Sequence, residues 1–140
     1  MTVSRLHYNY VLDDEVEYTN YVNNKLNELY GYKSEYCIKY AEAEGAEVFF
    51  ARDDNGKING ILVLVKGYDM FKEETTLYQR LFFADTHRAS YALFQHFLDY
   101  SKTLGHALRC VLTEHTNIKA STLEKYGLEK YETVYKLKES

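Results

Sequence analysis

The sequence lacks proline and tryptophan, has only two cysteines and contains no long hydrophobic run. Its longest unbroken aliphatic stretch is the five residues Ile61 to Val65. A membrane-spanning helix needs about 20 apolar residues, so the sequence excludes a helical membrane protein. Cys37 and Cys110 fit a reducing compartment, and the first ten residues show no secretory signal pattern. A cytoplasmic protein is therefore expected.

The charge balance limits the classes of ligand. The 140 residues include 17 basic and 21 acidic side chains, for a net charge of −4, and this length suits a single domain spanning 1–140. A negative balance argues against binding to nucleic acids or anionic membranes, because few cations are left to neutralise phosphates. Residues 1–70 carry −5 and residues 71–140 carry +1, so an anionic ligand should favour the second half.

The spacing of the histidines and cysteines and the number of tyrosines give weaker indications of function. The five histidines and two cysteines show none of the spacings of a metal site, so no metal is predicted. The 15 tyrosines are unusually many. They can cover the edges of a core with their hydroxyls in water, or they can form a protein-binding face. Composition leaves both interpretations open.

Alternating apolar patterns predict an α/β fold, with a central mixed sheet of about six strands and helices on both faces. Helix patterns recur every third or fourth residue, and strand patterns every second residue. The predicted order is a strand over 5–11, a helix capped by Asp13 or Asp14 and ended by Gly31, a shorter helix from Ser34 to Gly45, a hairpin over 47–66, a strand over 75–84, a helix capped by Asp85 or Thr86 and ended by Gly105, a strand over 106–114, a short helix over about 117–126 and a strand over 131–138.

The hairpin has the strongest local signal. Asn55-Gly56 lies between two β-rich runs, which is typical of a tight turn whose two central residues both have positive φ. Asp53 and Asp54 resemble the start of a calcium loop, but the glycine and the distal glutamate of that loop are not in register. Calcium binding is therefore not predicted.

The order of elements, the hairpin, and residues 116–128 with their Lys125-Tyr126-Gly127-Leu128 ending resemble the GCN5-related N-acetyltransferase (GNAT) superfamily. The resemblance implies that acetyl-CoA binds where the fourth and fifth strands, residues 75–84 and 106–112, separate. It also implies that the next helix turns its N-terminus to the pyrophosphate, because free amides and the helix dipole attract anions. The cofactor-binding candidates are Phe83, Ala84, Arg88, Ala89 and Ser90.

The pyrophosphate loop departs from the family pattern. That pattern is roughly Arg/Gln-x-x-Gly-x-Gly/Ala, whereas residues 86–91 contain no glycine, and the stretch before Gly105 is about three residues short. Ala89 and Tyr91 carry Cβ atoms where the family needs bare backbone, so binding there should be costly. Arg88 can still supply a positive charge.

The catalytic positions also differ. The family's general acid, usually a tyrosine on the last helix, aligns with Leu123, which cannot donate a proton. Tyr126 lies three residues later on a nearby helical face and is the candidate substitute. Glu114 and His115, at the end of the fifth strand, are candidate bases towards an amine, although a solvated strand end would carry the same residues.

Two functions remain open. The missing glycines and Leu123 favour a GNAT-like domain that has lost acetyl-CoA catalysis and acts as a protein-binding or structural component, with a protein partner or as a homo-oligomer. Short domains of this kind are similar to some tailed-phage proteins, which would place the chain in a virion. The alternative is an acetyl-CoA-dependent N-acetyltransferase acting on a small amine or a protein amine. If catalysis is lost, large side chains such as Tyr78, Phe83 and Tyr91 should fill the cleft between the diverging fourth and fifth strands.

Overall fold

A five-stranded mixed sheet lies at the centre of the protein in the computed structural model, which describes residues 1–6, 12–31 and 38–138. The elements in chain order are β1 (Thr2–Arg5), α1 (Leu12–Tyr30), α2 (Ile38–Ala43), β2 (Glu47–Arg52), β3 (Ile58–Asp69), β4 (Glu74–Ala84), α3 (His87–Leu104), β5 (Ala107–Arg109) and α4 (Ala120–Lys125). The strands lie side by side in chain order, and only β4 and β5 are parallel. The predicted α/β class and mixed sheet are confirmed.

Helices cover both faces of the sheet because its strands alternate their side chains. On β2, Val48 and Phe50 pack with residues of α1 and α2, whereas Phe49 and Ala51 pack with residues of α3 and α4. The α1–α2 side buries Tyr18, Val22 and Ala41, and the α3–α4 side buries Ala89, Leu93, Phe94, Phe97, Leu98 and Leu123. Both faces of the sheet are therefore apolar.

Local signals located most helix ends correctly. Gly31, Gly45 and Gly105 follow α1, α2 and α3 with φ of 67°, 68° and 67°, in the left-handed region that glycine tolerates. Thr86, one of the two predicted caps, accepts a hydrogen bond from the Ala89 amide at 3.1 Å. The other predicted cap, Asp85, lies one residue before it.

The first two predicted elements need correction. The first strand is Thr2–Arg5 and not 5–11, because its pairing partner β2 matches residues 2–5 with 49–52. Residues 7–11 of the predicted strand lie outside the described residues, as do Ser34 and Cys37 of the second helix. Because α1 begins at Leu12, Asp13 and Asp14 lie in its first turn and are not caps. Acidic residues are favourable there beside the positive end of the helix dipole.

The hairpin turn is longer than predicted. Asn55 is not among the positive-φ residues, and only Gly56 of the pair has positive φ, at 80°. The Gly56 amide donates to the Asp53 carbonyl at 2.9 Å, and the Asp53 side chain accepts from the amides of Asn55 and Lys57. The aspartate therefore organises a four-residue turn that ends in a left-handed glycine.

The predicted sixth strand is wrong. Residues 131–138 alternate in sequence but form no strand, and β5 covers three residues where nine were predicted. Alternation indicates which side chains share a face, whereas a strand also needs a neighbouring edge to pair with. The β4–β5 ladder ends early, and the residues after α4 lie beside β5 without joining it.

Candidate functional site

The parallel strands β4 and β5 separate at one edge of the sheet. Their ladder pairs Thr76 with Ala107, Leu77 with Leu108 and Tyr78 with Arg109, and it ends there although β4 continues to Ala84. This confirms the divergence of the fourth and fifth strands that the resemblance implied. The two strands leave a gap beside residues 79–84 of β4.

Gln79 bridges this gap immediately beyond the last ladder pair. Its Nε2 donates to the Val111 carbonyl at 2.9 Å, and its Oε1 accepts from the Val111 amide at 3.0 Å. A side-chain amide has the same donor and acceptor as a peptide group, so it can replace a strand in this pairing. Sequence reasoning missed Gln79, and no local pattern distinguishes it from a solvent-facing strand residue.

A second link closes the far end of the gap. The Ala84 amide donates to the His115 carbonyl at 3.2 Å. The gap is thus spanned at both ends, by a side chain near Tyr78 and by the backbone near the start of α3.

The N-terminus of α3 is hydrogen-bonded to the loop that follows β5. Ser90 is fully buried, and its hydroxyl donates to the Thr116 carbonyl at 2.6 Å. His87 donates from Nδ1 to the Asn117 carbonyl at 3.0 Å, and Asn117 has a φ of 61°. These two bonds attach the loop after β5 to the first turn of α3.

The predicted cofactor residues lie around this helix end, but most have other roles. Arg88 is exposed in the first turn of α3. Ala89 is fully buried in the α3–α4 core and Phe83 is buried on the α1–α2 side, while the Ala84 amide and the Ser90 hydroxyl are already hydrogen-bonded. These residues do not fit acetyl-CoA as they stand, because a ligand in the cleft would have to displace the bonds across the gap.

The candidate bases lie in the turn after β5. Thr113 and Thr116 shape this turn, because the Thr116 hydroxyl accepts from the Thr113 amide at 3.1 Å. His115 Nε2 lies 3.3 Å from Glu114 Oε1, with side-chain exposures of 18% for the histidine and 85% for the glutamate. The structure therefore pairs the two candidates and places them beside the gap.

The candidate acid Tyr126 is held by another tyrosine. It follows α4 directly, and its hydroxyl is hydrogen-bonded to that of Tyr91. Its ring also packs edge-on against Phe94, with centroids 5.9 Å apart. Hydrogen bonding to Tyr126 raises the pKa of Tyr91. Leu123, at the family's acid position, is buried in the core as its side chain requires.

Large side chains were expected to fill the cleft, but none of Tyr78, Phe83 and Tyr91 makes the contacts that span the gap. Tyr78 lies against Gly67 of the opposite neighbour β3, where an added Cβ would approach its ring within 2.6 Å. Phe83 packs in the α1–α2 core, and Tyr91 is 44% exposed on α3. The smaller Gln79 makes the bridge, because its side-chain amide offers a separate donor and acceptor to the two backbone groups of Val111.

A cluster that sequence reasoning also missed ties α1 to the end of β4. The Lys25 ammonium contacts the Asp85 carboxylate and lies 5.8 Å above the ring of Tyr21. Burial, assisted by the negative charges of Asp85 and Glu28, raises the pKa of Tyr21. The cluster fixes the connection between β4 and α3 from the α1 side.

Two kinds of feature are absent from the residues that the structure describes. In the described ranges, no group of three or more histidine, cysteine, aspartate or glutamate side chains could hold a metal ion. No helix of those ranges combines the length and apolar character needed to cross a bilayer.

Comparisons with known proteins agree on the architecture. No family model matches the sequence, and no curated protein matches it significantly. Similar solved structures include one described as a probable acetyltransferase (14% identity, covering 100% of this chain and 99% of that one, TM-score 0.72), an acetyltransferase from Trypanosoma brucei (13%, 98% and 98%, 0.69) and a ribosomal-protein-alanine N-acetyltransferase from Brucella melitensis biovar Abortus (15%, 99% and 99%, 0.64). The chain therefore has the GNAT acetyltransferase fold.

Proposed function

We propose that this protein is a GNAT-fold domain that no longer transfers acetyl groups and acts by binding proteins. The bridged cleft is the observation that carries the proposal. Gln79 occupies both backbone groups of Val111, and the Ala84 amide is bonded to His115. A cofactor in the cleft would have to break these hydrogen bonds and compete with the contacts that the two strands make with each other.

The helix end and the acid position support the same proposal. A phosphate needs accessible amides and close backbone approach. Here Ala89 and Ser90 are buried, and the Ser90 hydroxyl serves the loop after β5. Leu123 cannot protonate a leaving thiolate, and the Tyr126 hydroxyl is paired with Tyr91. The cleft, the N-terminus of α3 and the position of the general acid therefore all make contacts that stabilise the fold.

An acetyl-CoA-dependent N-acetyltransferase is the second candidate. One observation favours it: the Glu114–His115 pair lies at the end of the gap with 3.3 Å between Oε1 and Nε2, which suits a base that accepts a proton from an amine. Arg88 is also exposed on the first turn of α3, where it could meet an anion.

Calorimetric titration with acetyl-CoA, together with an assay of CoA release over a panel of small amines and peptides, separates the two candidates. The proposal expects no heat beyond dilution and no thiol release at millimolar cofactor. Saturable binding that Arg88→Ala weakens, with turnover that Glu114→Gln or His115→Gln lowers, would overturn the proposal and establish the transferase.

A further inference from the structure

Two tyrosines from different parts of the chain meet through their hydroxyls. Tyr91 lies in α3 and Tyr126 directly follows α4, 35 residues further along the sequence. Their hydroxyls are hydrogen-bonded to each other, and their ring centroids are 6.0 Å apart. Between residues that the structure describes, no other two tyrosines have their rings in contact. The hydrogen bond brings together the ring carbons that flank the two hydroxyls.

Both tyrosines are held in place by the main core. Ser90, the neighbour of Tyr91, is fully buried and its hydroxyl donates to the Thr116 carbonyl at 2.6 Å. The Tyr126 amide donates to the Leu123 carbonyl at 3.1 Å, and the Tyr126 ring packs edge-on against the buried Phe94, with centroids 5.9 Å apart. The contact between the two hydroxyls is therefore a fixed feature of the fold.

The pair is open to solvent on one side. Tyr91 is 44% exposed, so an oxidant in solution can reach its ring, whereas Tyr126 is half-buried behind it. The chain contains no tryptophan, the other aromatic side chain that readily loses one electron. Among the aromatic side chains, one-electron oxidation therefore falls on tyrosine. An electron can pass from Tyr126 to an oxidised Tyr91, because the two phenols are in contact.

We propose that Tyr91 and Tyr126 form a modification site, at which the oxidised haem of a peroxidase acting with hydrogen peroxide couples the two rings into an intramolecular dityrosine. Each phenol gives one electron to the oxidant and its hydroxyl proton to water. The two phenoxyl radicals form one carbon–carbon bond between the carbons ortho to their hydroxyls. Each of these carbons then loses its proton while the oxygen beside it regains one, which restores both phenols. The two electrons and two protons that are released reduce one hydrogen peroxide to two waters.

The starting geometry resembles that of the product. In an ortho-coupled pair of phenols the two hydroxyls flank the new bond and can still hydrogen-bond to each other, as the hydroxyls of Tyr91 and Tyr126 do here. The link would join α3 covalently to the chain after α4. Closing a loop between residues 35 apart restricts the unfolded chain and so favours the folded one. The inference is independent of acetyl transfer.

Peptide mapping of the oxidised full chain tests the coupling. The protein is treated with a haem peroxidase and hydrogen peroxide, and the monomer is isolated by size exclusion and digested with trypsin. Tyr126 is released in residues 126–130, which contain no other tyrosine, and Tyr91 in residues 89–102. We expect these two peptides to be joined with the loss of two hydrogens and to show dityrosine fluorescence. Fragmentation should place the link on Tyr91 and not on Tyr100 of the same peptide.

Variants that keep the ring but lack the hydroxyl give the contrast. Tyr91→Phe and Tyr126→Phe should each abolish the joined peptide, and circular dichroism establishes that both are folded. Tyr68→Phe is the matched control: Tyr68 is 67% exposed on β3, so this variant should couple as the wild type does. Absence of the joined peptide from the wild-type monomer, or an equal yield in Tyr126→Phe, would overturn the proposal.

Dilution separates coupling within one chain from coupling between copies. Because both rings belong to the same chain, the fraction of chains that carry the link should not change when the protein is diluted tenfold at fixed peroxidase and peroxide. A yield that falls in proportion to the protein concentration would mean that the two rings come from different molecules, and this result would also overturn the proposal.

Discussion

Gln79 is hydrogen-bonded to both backbone groups of Val111, at 2.9 and 3.0 Å, at the point where β4 and β5 separate. In a continuous parallel ladder a backbone peptide would make this contact. The side-chain amide therefore extends the sheet by one step while the strands diverge. A GNAT-fold cleft that is spanned in this way is closed by the protein's own hydrogen bonds, without bulky aromatic side chains.

Removal of the bridge should loosen the sheet. Gln79→Ala removes both side-chain hydrogen bonds to Val111, whose backbone is exposed to water, and we expect a loss of about 0.5–1.5 kcal/mol in the free energy of unfolding. Urea denaturation measures this loss, and hydrogen exchange should show a faster Val111 amide. Arg80→Ala, which removes an exposed ion pair to Glu44, is the control and should cost less than about 1 kcal/mol. Equal stability of Gln79→Ala and the wild type would contradict the bridge.

Gly60 of β3 packs closely against Leu93 of α3, and this contact predicts an effect of substitution on stability. An added Cβ would lie 2.9 Å from Leu93 Cδ1 and 3.0 Å from the Phe83 carbonyl oxygen, and the second of these is backbone. We expect Gly60→Ala to lower the free energy of unfolding by about 1–3 kcal/mol. Lys57→Ala, in the exposed turn of the same hairpin, should change it by less than about 0.5 kcal/mol. Thermal or urea unfolding of both variants checks the contrast.

His96 should make stability depend on pH. Its ring packs at 4.3 Å from that of Phe49 and 6.0 Å from that of Tyr100. Burial lowers the pKa of His96 below its ordinary value of 6.5, a shift that Asp99 partly opposes, Arg5 reinforces and Glu47 also opposes.

The direction of this pH dependence follows from the difference in proton binding between the folded and unfolded states. A histidine whose folded pKa is lowered binds protons more readily when unfolded, so its contribution is complete above pH 6.5 and is lost as the pH falls towards the folded pKa. Denaturation between pH 8 and pH 5 should therefore show a steeper loss in the wild type than in His96→Phe. Identical slopes for wild type and His96→Phe would show that His96 does not contribute.

Cys110 should be unreactive in the folded protein. Burial raises the pKa of its thiol to about 12, and only the thiolate reacts with disulfide reagents. In a Cys37→Ser background, which leaves one thiol, we expect no labelling of native protein at neutral pH and stoichiometric labelling in denaturant. Rapid labelling of the native form would show that the β5 edge is open to solvent at this residue.

The sequence predicted the structure best where a feature depends on residues that are close together in the chain. Thr86 and Gly105 identified both ends of α3, because capping depends on one side chain and one backbone conformation. The Asp53–Gly56 turn located the hairpin, although the part that Asp53 plays changed its length.

Contacts between residues that are far apart in the sequence could not be predicted in the same way. Gln79 and Val111 are 32 residues apart, and Tyr91 and Tyr126 are 35 apart, so no local pattern reveals either pair. The segment 131–138 has strand periodicity, but whether it pairs depends on the neighbouring edge. The fold class followed from patterns, whereas the state of the cleft depended on tertiary contacts.

The hydrogen bonds of Gln79 to Val111 and of Ala84 to His115 span the gap between β4 and β5, and we infer that they close it to a cofactor. The most direct test is to follow the amide resonances of Ala84 and Val111 by nuclear magnetic resonance while acetyl-CoA is added to millimolar concentration. If the cleft is closed, both resonances and their slow exchange stay unchanged. A saturable shift of the two resonances, with loss of the Gln79 side-chain bonds, would show that the cofactor enters the cleft and would contradict the claim.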